Sequence, residues 1–163
     1  MANITTLSKG STTHPSRYNT HVPYVAEAYI DFADALTAKG SALAAADTIE
    51  CIVVPAGTMI LAAGLQTVAV DDATTLTLDL GFTGGDVDEF VDGYDQAAAS
   101  AGGWSASLDT VPGITAPAAT ADTIDLLLAT LTGTLTVGEV RVWALLCDAT
   151  GSHGPSGIAQ IGS

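Results

Sequence analysis

The chain has 163 residues, enough for one domain with a buried core, and 48% of them are hydrophobic. A mean hydropathy of +0.40 argues against a disordered chain, and no apolar run reaches the roughly 18 to 20 residues of a transmembrane helix. With four basic and eighteen acidic residues, the net charge of −14 disfavours binding to nucleic acid or to an anionic membrane.

The charge is unevenly distributed along the chain. Residues 1–26 contain Lys9 and Arg17 but no acidic residue. The first 24 residues are rich in Ser, Thr and Asn, show neither helical nor strand periodicity, and contain no apolar stretch typical of a signal peptide. An extended arm is therefore predicted there, with a disordered terminus as the alternative. The predicted parts are an extended N-terminal arm at 1–24, a β-sandwich domain at 25–150 and a flexible C-terminal tail at 151–163.

The first half of the domain alternates between strands and turns. Ala28, Ile30 and Phe32 alternate with polar neighbours, which indicates a half-buried strand. The alanines that follow also permit a short helix at Ala33–Lys39, ended by Gly40. Further predicted elements are a strand at Thr48–Val54, a turn at Pro55–Gly57, and strands at Thr58–Leu61 and Leu65–Val70.

The second half begins with a turn at Asp71–Asp72 and a strand at Thr74–Leu80, where leucines alternate with polar residues. Val87, Phe90, Val91 and Tyr94 follow a helical spacing, so one short acidic helix is predicted within 86–95. The remaining predictions are a strand at Trp104–Leu108, a loop at 109–120, and a closing pair of strands at Thr123–Leu131 and Glu139–Cys147.

A short internal similarity bears on the fold. Ala46–Glu50 and Ala121–Asp125 share an Ala-Asp-Thr-Ile-acid pattern, and each precedes an apolar run and a glycine. Two hairpin units packed as two sheets explain this similarity, and chance in an Ala/Asp/Thr-rich chain is the alternative. With seven or eight short strands and little helix, the fold class is all-β, an antiparallel β-sandwich or jelly-roll-like domain.

The residues that most enzymes and metal sites need are poorly placed. His14, His21 and His153 all lie in the terminal segments, away from any rigid scaffold for a catalytic base. Cys51 and Cys147 lie in apolar runs and are expected to be free buried thiols, with a disulfide as the alternative. No zinc, phosphate-loop or cofactor pattern is present, so the chain is predicted not to be an enzyme and to need no cofactor.

The acidic segment leaves two alternatives open. A carboxylate-based hydrolase would take its pair of acids from Asp86, Asp88, Glu89, Asp92 and Asp95, and replacing Asp88 and Glu89 together would abolish its activity. Asp86-x-Asp88 also matches the beginning of a calcium loop. Phe90 stands where the third calcium ligand belongs, and Gly93 is out of register. A solvated acidic helix is the preferred interpretation.

The order of several segments resembles the small structural proteins encoded in the head modules of tailed phages. These segments are Val54–Thr58, Leu61–Leu65, Leu76–Gly81, Phe90–Asp95 and Val140–Leu145. The resemblance implies a decoration or cement protein on the outer surface of the capsid, assembled in the host cytoplasm. It also implies a homotrimer that bridges subunits of the major capsid protein.

The residues of the arm supply a docking mechanism. Lys9, Arg17, Tyr18 and Tyr24 are the predicted partner-binding residues, because Arg and Tyr are enriched at interfaces. Addition of the arm as a strand to a neighbouring sheet is a second mode of docking.

The alternative function is a head-fibre or tail component with a glycan- or receptor-binding surface around Trp104. Core packing is the other interpretation of Trp104 and the expected position of Trp143.

Overall fold

The computed structural model describes residues 3–4, 23–83, 85–96, 102, 104–107 and 118–148, with the backbone alone described at 3–4 and 104–107. Within these residues the chain forms nine strands and one helix. They are β1 (Asn3–Ile4), β2 (Tyr24–Asp31), α1 (Phe32–Lys39), β3 (Thr48–Val54), β4 (Thr58–Ala69), β5 (Thr75–Gly81), β6 (Val91–Asp95), β7 (Trp104–Ser107), β8 (Asp122–Thr132) and β9 (Glu139–Asp148). No described helix is long and apolar enough to cross a membrane.

The strands form two sheets around one core. The five-stranded sheet has the order β1-β3-β8-β5-β6, and the four-stranded sheet has the order β2-β9-β4-β7. Alternate side chains of both sheets point into a single buried cluster. The predicted antiparallel β-sandwich is therefore confirmed. The largest fully buried side chains are Phe32, Phe90, Ile30, Ile49, Leu65, Leu76, Leu78, Leu80, Ile124, Leu126, Leu128 and Leu146.

The strand pairing has the topology of a jelly roll. The antiparallel pairs β2–β9, β3–β8, β4–β7 and β5–β6 are those of one long hairpin folded back on itself. Rolling that hairpin up brings β9 beside β4 and β8 beside β5, and both of these pairs are present. The eight strands from β2 to β9 thus form the two four-stranded layers of a jelly roll. Strand β1 is an addition, parallel to the outer edge of β3.

The prediction of two hairpin units is wrong. Strands β3 and β4 lie in different sheets, and so do β8 and β9, so neither consecutive pair forms a hairpin. The turn at Pro55–Gly57 is present, with Gly57 at φ 82°, but it carries the chain from one sheet to the other. The two similar segments enter β3 and β8, which pair with each other, with Glu50 opposite Asp125.

Helix α1 confirms the helical alternative for the alanine-rich segment. The Asp31 side chain accepts a hydrogen bond from the Ala33 N–H at 2.9 Å and caps the first turn. Gly40 ends the helix in the left-handed region at φ 69°, where glycine has no Cβ penalty. Phe32 and Ala35 are buried in the core, so the helix continues the hydrophobic face of β2.

The prediction of a short acidic helix is wrong. Residues Val91–Asp95 form β6, which pairs with β5 and places Leu78 opposite Tyr94 and Leu80 opposite Val91. Phe90 and Val91 are buried, whereas Val87 is 39% exposed, so the helical spacing does not define one buried face. Pairing with the edge of a sheet satisfies the backbone of this segment more completely than one isolated helical turn.

The other predicted strands are confirmed with small changes at their ends. Strand β3 has the predicted bounds, β5 and β8 differ from theirs by one residue at each end, β9 is one residue longer, and β7 ends at Ser107. The segments on either side of Gly64 belong to the single strand β4, with a bulge between Ile60 and Ala62. The expected loop at 109–120 lies outside the described residues except for 118–120.

A buried polar network ties the two sheets together near one edge. Thr67 on β4 is 1% exposed, and its hydroxyl donates to Gln96 Oε1 at 2.7 Å. The Thr67 hydroxyl oxygen also lies 2.7 Å from the Tyr94 hydroxyl of β6. Gln96, which is fully buried, also donates to the Ala69 carbonyl at 3.3 Å. The network therefore links β4 to β6, across the sandwich.

The segment between β5 and β6 folds over the end of β5. A Cβ on Gly81 would collide with the backbone of Asp86 and Val87, so the close approach requires glycine here. Phe82 and Phe90 close the loop from either end with an edge-to-face contact at 5.4 Å between ring centroids. This arrangement places Asp86 and Asp88 on the exposed surface, with Glu89 half-buried beside them.

Candidate interaction surfaces

The four predicted arm residues are distributed as follows. Lys9, Arg17 and Tyr18 lie outside the described residues. Tyr24 is the first residue of β2 and is half-buried, packed against the core. Burial, followed by the nearby Asp148 carboxylate, raises the pKa of its hydroxyl. Of the four, the described part of the structure positions Tyr24 alone.

The beginning of the chain adds a strand to its own domain. Asn3 is paired with Thr48 and Ile4 with Ile49, in parallel register along the outer edge of the five-stranded sheet. Helix α1 also approaches β1. Strand addition by this segment is therefore observed within the chain, whereas docking on a neighbouring subunit stays a prediction.

The acidic segment forms an exposed cluster. The hydrogen bond between the Asp88 and Asp86 carboxyl groups raises the pKa of Asp88. Burial, reinforced by the Asp86 charge, raises the pKa of Glu89. In the described part of the chain, no group of three or more His, Cys, Asp or Glu side chains is arranged to hold a metal ion. The predicted hydrolase pair Asp88 and Glu89 thus lies on a surface loop, and all three histidines are outside the described residues.

The outer face of the five-stranded sheet is polar. Thr77 of β5 and Thr130 of β8 pair through their hydroxyls at 2.7 Å. Asp79 accepts a hydrogen bond from the Gly93 N–H at 2.7 Å, while burial raises its pKa. Glu50 lies opposite Asp125, which accepts from the Thr83 N–H and keeps one buried oxygen without a hydrogen-bond partner. Asp79 and Asp125 are only 9% and 4% exposed, so this face presents threonines such as Thr130 to water rather than these two acids.

The outer face of the four-stranded sheet is apolar. In β9 the residues Val140, Val142, Ala144 and Leu146 point into the core, so the residues between them point outward. We call the outward set the outer apolar face. Its members are Val25, Tyr29, Met59, Trp143 and Leu145.

Pairing across the sheet brings the members of this face together. Val25 is opposite Leu145, and Trp143 lies between Glu27 on β2 and Gly64 on β4. Gly64 contributes no side chain beside the indole, which is half-buried. Val25 is 58% exposed, and no member of the face belongs to the buried core cluster. The expected core position of Trp143 is therefore wrong.

The sequence contains a signal for this outer apolar face. Strand β9 has large apolar residues at both parities, with Trp143 and Leu145 on the side opposite Val142 and Ala144. A sheet with one face in water needs apolar residues only at alternate positions of each strand. Trp104, the residue of the alternative glycan site, lies in β7, and its side chain is outside the described part of the structure.

Both basic residues of the domain pair with carboxylates. Arg141 donates from Nε to Glu27 at 2.8 Å and lies within 3.5 Å of the Gln66 side-chain oxygen. Lys39, at the end of α1, forms a buried ion pair with Asp47 and donates to the Ala42 carbonyl at 2.7 Å. Each of these two basic side chains thus lies beside a carboxylate of the domain.

The cysteines are free thiols in this structure. Cys51 is buried on β3, and its Sγ lies 3.2 Å from the Ile49 carbonyl oxygen. Burial strongly raises the pKa of the Cys51 thiol, which makes it a poor nucleophile. Cys147 is half-buried on β9. The two residues lie in different sheets, and the expected free thiols are confirmed.

Comparison with solved structures identifies proteins of similar fold. A chain in the capsid of Ralstonia phage GP4 has a TM-score of 0.60 and 16% identity, over 91% of this chain and 99% of that one. A chain in the capsid asymmetric unit of cyanophage Pam1 has a TM-score of 0.58 and 19% identity, over 82% and 90%. At these identities the likeness establishes the fold. No protein-family model matches the sequence, and neither does any curated protein.

Proposed function

We propose that this protein is a structural component of a tailed-phage virion that binds the outer surface of the capsid and bridges subunits of the major capsid protein. The supporting observation is the jelly-roll likeness to chains of two phage capsids. The match spans 91% of this chain and 99% of the GP4 chain. The two chains are therefore of comparable length, and the shared fold accounts for nearly the whole of each.

The charge distribution favours the outer surface over the inner one. The packaged genome is a dense polyanion, and a chain with a net charge of −14 would be repelled by it. On the outer surface the same charge keeps the decorated particle soluble. The virion, assembled in the host cytoplasm, is accordingly the proposed location.

The arm is the proposed attachment device. Lys9 and Arg17 are the two basic residues of the sequence that lie in the arm, whereas Lys39 and Arg141 of the domain pair with carboxylates. Tyr18 and Tyr24 supply aromatic surface, and Tyr24 marks the point where the arm joins β2. Arms from the copies of a homotrimer would bind several capsid subunits at once, so that modest individual contacts sum to a high avidity.

The proposed role is mechanical and involves no catalysis or cofactor. The acidic loop around Asp88 and Glu89 then acts as solvated surface. Replacing both residues by their amides, Asp88→Asn with Glu89→Gln, keeps the size of the side chains and removes two negative charges. Binding to capsids should survive this change, whereas a carboxylate-based hydrolase would lose its activity.

Co-sedimentation with empty heads of the phage that encodes the chain tests the proposal. We expect the full-length protein to bind expanded heads saturably, at a fixed ratio to the major capsid protein, and to raise the temperature at which the heads disrupt. A variant lacking residues 1–22 should keep the fold of the domain and lose most of the binding. Lys9→Glu with Arg17→Glu should weaken binding, with Asp88→Asn/Glu89→Gln as the matched control. Failure of the full-length protein to bind would refute the proposed function, and full binding without the arm would refute its mechanism.

A further inference from the structure

The two outer faces of the sandwich differ in polarity, and the packing of a single subunit does not require this difference. The outer face of the five-stranded sheet carries mostly threonines and acids, whereas that of the four-stranded sheet carries a valine that is 58% exposed and a half-buried tryptophan, tyrosine, methionine and leucine. These residues lie close to one another, because Val25 pairs with Leu145, Trp143 occupies the next outward position of β9, and Met59 lies on the adjacent strand. A contiguous apolar patch on a soluble domain marks an interaction site.

The charges around this patch narrow the choice of partner. Between the strand ends, the outward positions of β2, β9 and β4 hold one acid and one base, Glu27 and Arg141, and these form an ion pair with 2.6 Å between Arg141 Nη2 and Glu27 Oε2. The centre of the patch is therefore neutral, while Asp31 and Glu139, which lie opposite each other, add two acids at one end of β2 and β9. Two copies of a chain with a net charge of −14 repel each other, and the neutral centre adds nothing to that repulsion.

We propose that the outer apolar face binds a second copy of this chain and forms the contact between subunits of the oligomer. This inference rests on the oligomeric part of the proposed function and is independent of capsid binding. Apolar surface of this kind must be covered before the protein meets a capsid, because an exposed patch promotes aggregation. The partner present at every stage is another copy of the chain. The paired Glu27 and Arg141 then lie within the contact, where a neutral ion pair costs less to desolvate than a lone charge.

The solution mass of the full chain, measured by light scattering at micromolar concentration, tests this interface. We expect the wild-type protein at about three times 16.3 kDa. Trp143→Thr combined with Leu145→Thr keeps β-propensity, removes the centre of the face and should give 16.3 kDa monomers. Val25→Asp, at a side chain that is 58% exposed, introduces a repelling charge without touching the core and should shift the mass in the same direction. Val53→Thr, at a 55% exposed position of β3, is the control and should keep the wild-type mass.

Fluorescence gives a second measurement. In a Trp104→Phe background Trp143 is the remaining tryptophan, since the chain has two. Its emission should shift to longer wavelength on dilution into the monomer range, and it should show the shifted spectrum at all concentrations when Val25→Asp is added.

Each outcome decides the inference. A wild-type monomer, or an oligomer that survives both face variants, would overturn it. Face variants that keep the wild-type mass but no longer bind heads would assign the face to the capsid protein instead, which also overturns it. A monomeric face variant whose arm still binds heads weakly would support both proposals. An intact oligomer that binds no heads would refute the proposed function alone.

Discussion

Replacing Lys39 by methionine tests how much the ion pair between α1 and the segment before β3 stabilises the domain. The side chains of Lys39 and Asp47 are 12% and 4% exposed, so water screens this pair poorly. Removing one partner of a buried pair strands the other charge and costs about 3 to 5 kcal/mol. The Ala44 N–H still donates to Asp47 at 2.8 Å, so we expect the lower end, about 3 kcal/mol. At roughly 2 to 4 °C per kcal/mol for a chain of this size, the melting temperature should fall by about 6 to 12 °C.

Urea titration and thermal melts followed by circular dichroism measure the loss, with both proteins at one concentration because an oligomer melts in a concentration-dependent way. Adding Asp47→Asn to Lys39→Met is the control. Asparagine keeps an acceptor for the Ala44 N–H but carries no charge, so the double variant should recover more than half of the lost stability. A loss below about 1 kcal/mol for Lys39→Met is the value of an exposed pair and would refute the reasoning. So would a double variant no more stable than the single one, because the cost would then not come from the stranded charge.

Three further predictions concern other parts of the domain. Thr67→Val should cost about 1 to 3 kcal/mol in urea unfolding, because it leaves buried polar groups of the network without a partner; an unchanged midpoint would mean that the network contributes nothing. Gly81→Ala should destabilise more than Gly40→Ala, since a Cβ at Gly81 meets backbone whereas none lies within 4 Å of one at Gly40; equal losses would contradict the tight loop. Hydrogen bonds from the Thr136 hydroxyl and N–H lower the pKa of Asp72 in the folded state, so its contribution is present above the unfolded pKa of about 3.9 and is lost as the pH falls through the folded value. Burial raises the pKa of Asp79, so ionising it costs stability as the pH rises through its folded value. Melting temperatures between pH 2.5 and 7 should therefore show Asp72→Asn losing stability at neutral pH and Asp79→Asn gaining it, and shifts of the same sign would refute this assignment.

Local patterns predicted most individual elements of this fold. Leu76, Leu78 and Leu80 alternate with polar residues and form the buried side of β5. The turn before β4 and the glycine that ends α1 were both predictable, because left-handed backbone strongly favours glycine. The prediction of a helix in the acidic segment was wrong. Val87, Phe90 and Tyr94 have a helical spacing, but this spacing does not show whether a strand edge is available for pairing. The free edge of β5 decides that choice, and it exists only after the sheet has formed.

The candidate interaction surfaces, too, were only partly predictable from the sequence. Composition alone showed that Lys9 and Arg17 stand apart from an acidic domain, because charge counts need no coordinates. The direction in which Trp143 points was not accessible, since β9 carries large apolar residues at both parities and either side could have been the core.

The sequence by itself determined where strands and turns occur, that the domain is strongly acidic, and that one face of β5 is buried, because these follow from the periodicity and chemistry of neighbouring residues. Only the tertiary structure decided that β3 and β4, like β8 and β9, belong to different sheets. It also decided that Asp47 is buried against Lys39 and that the side of β9 bearing Trp143 faces outward. Each of these features depends on which strands meet across the sandwich. Pairing between distant segments produces no periodic pattern in a single sequence.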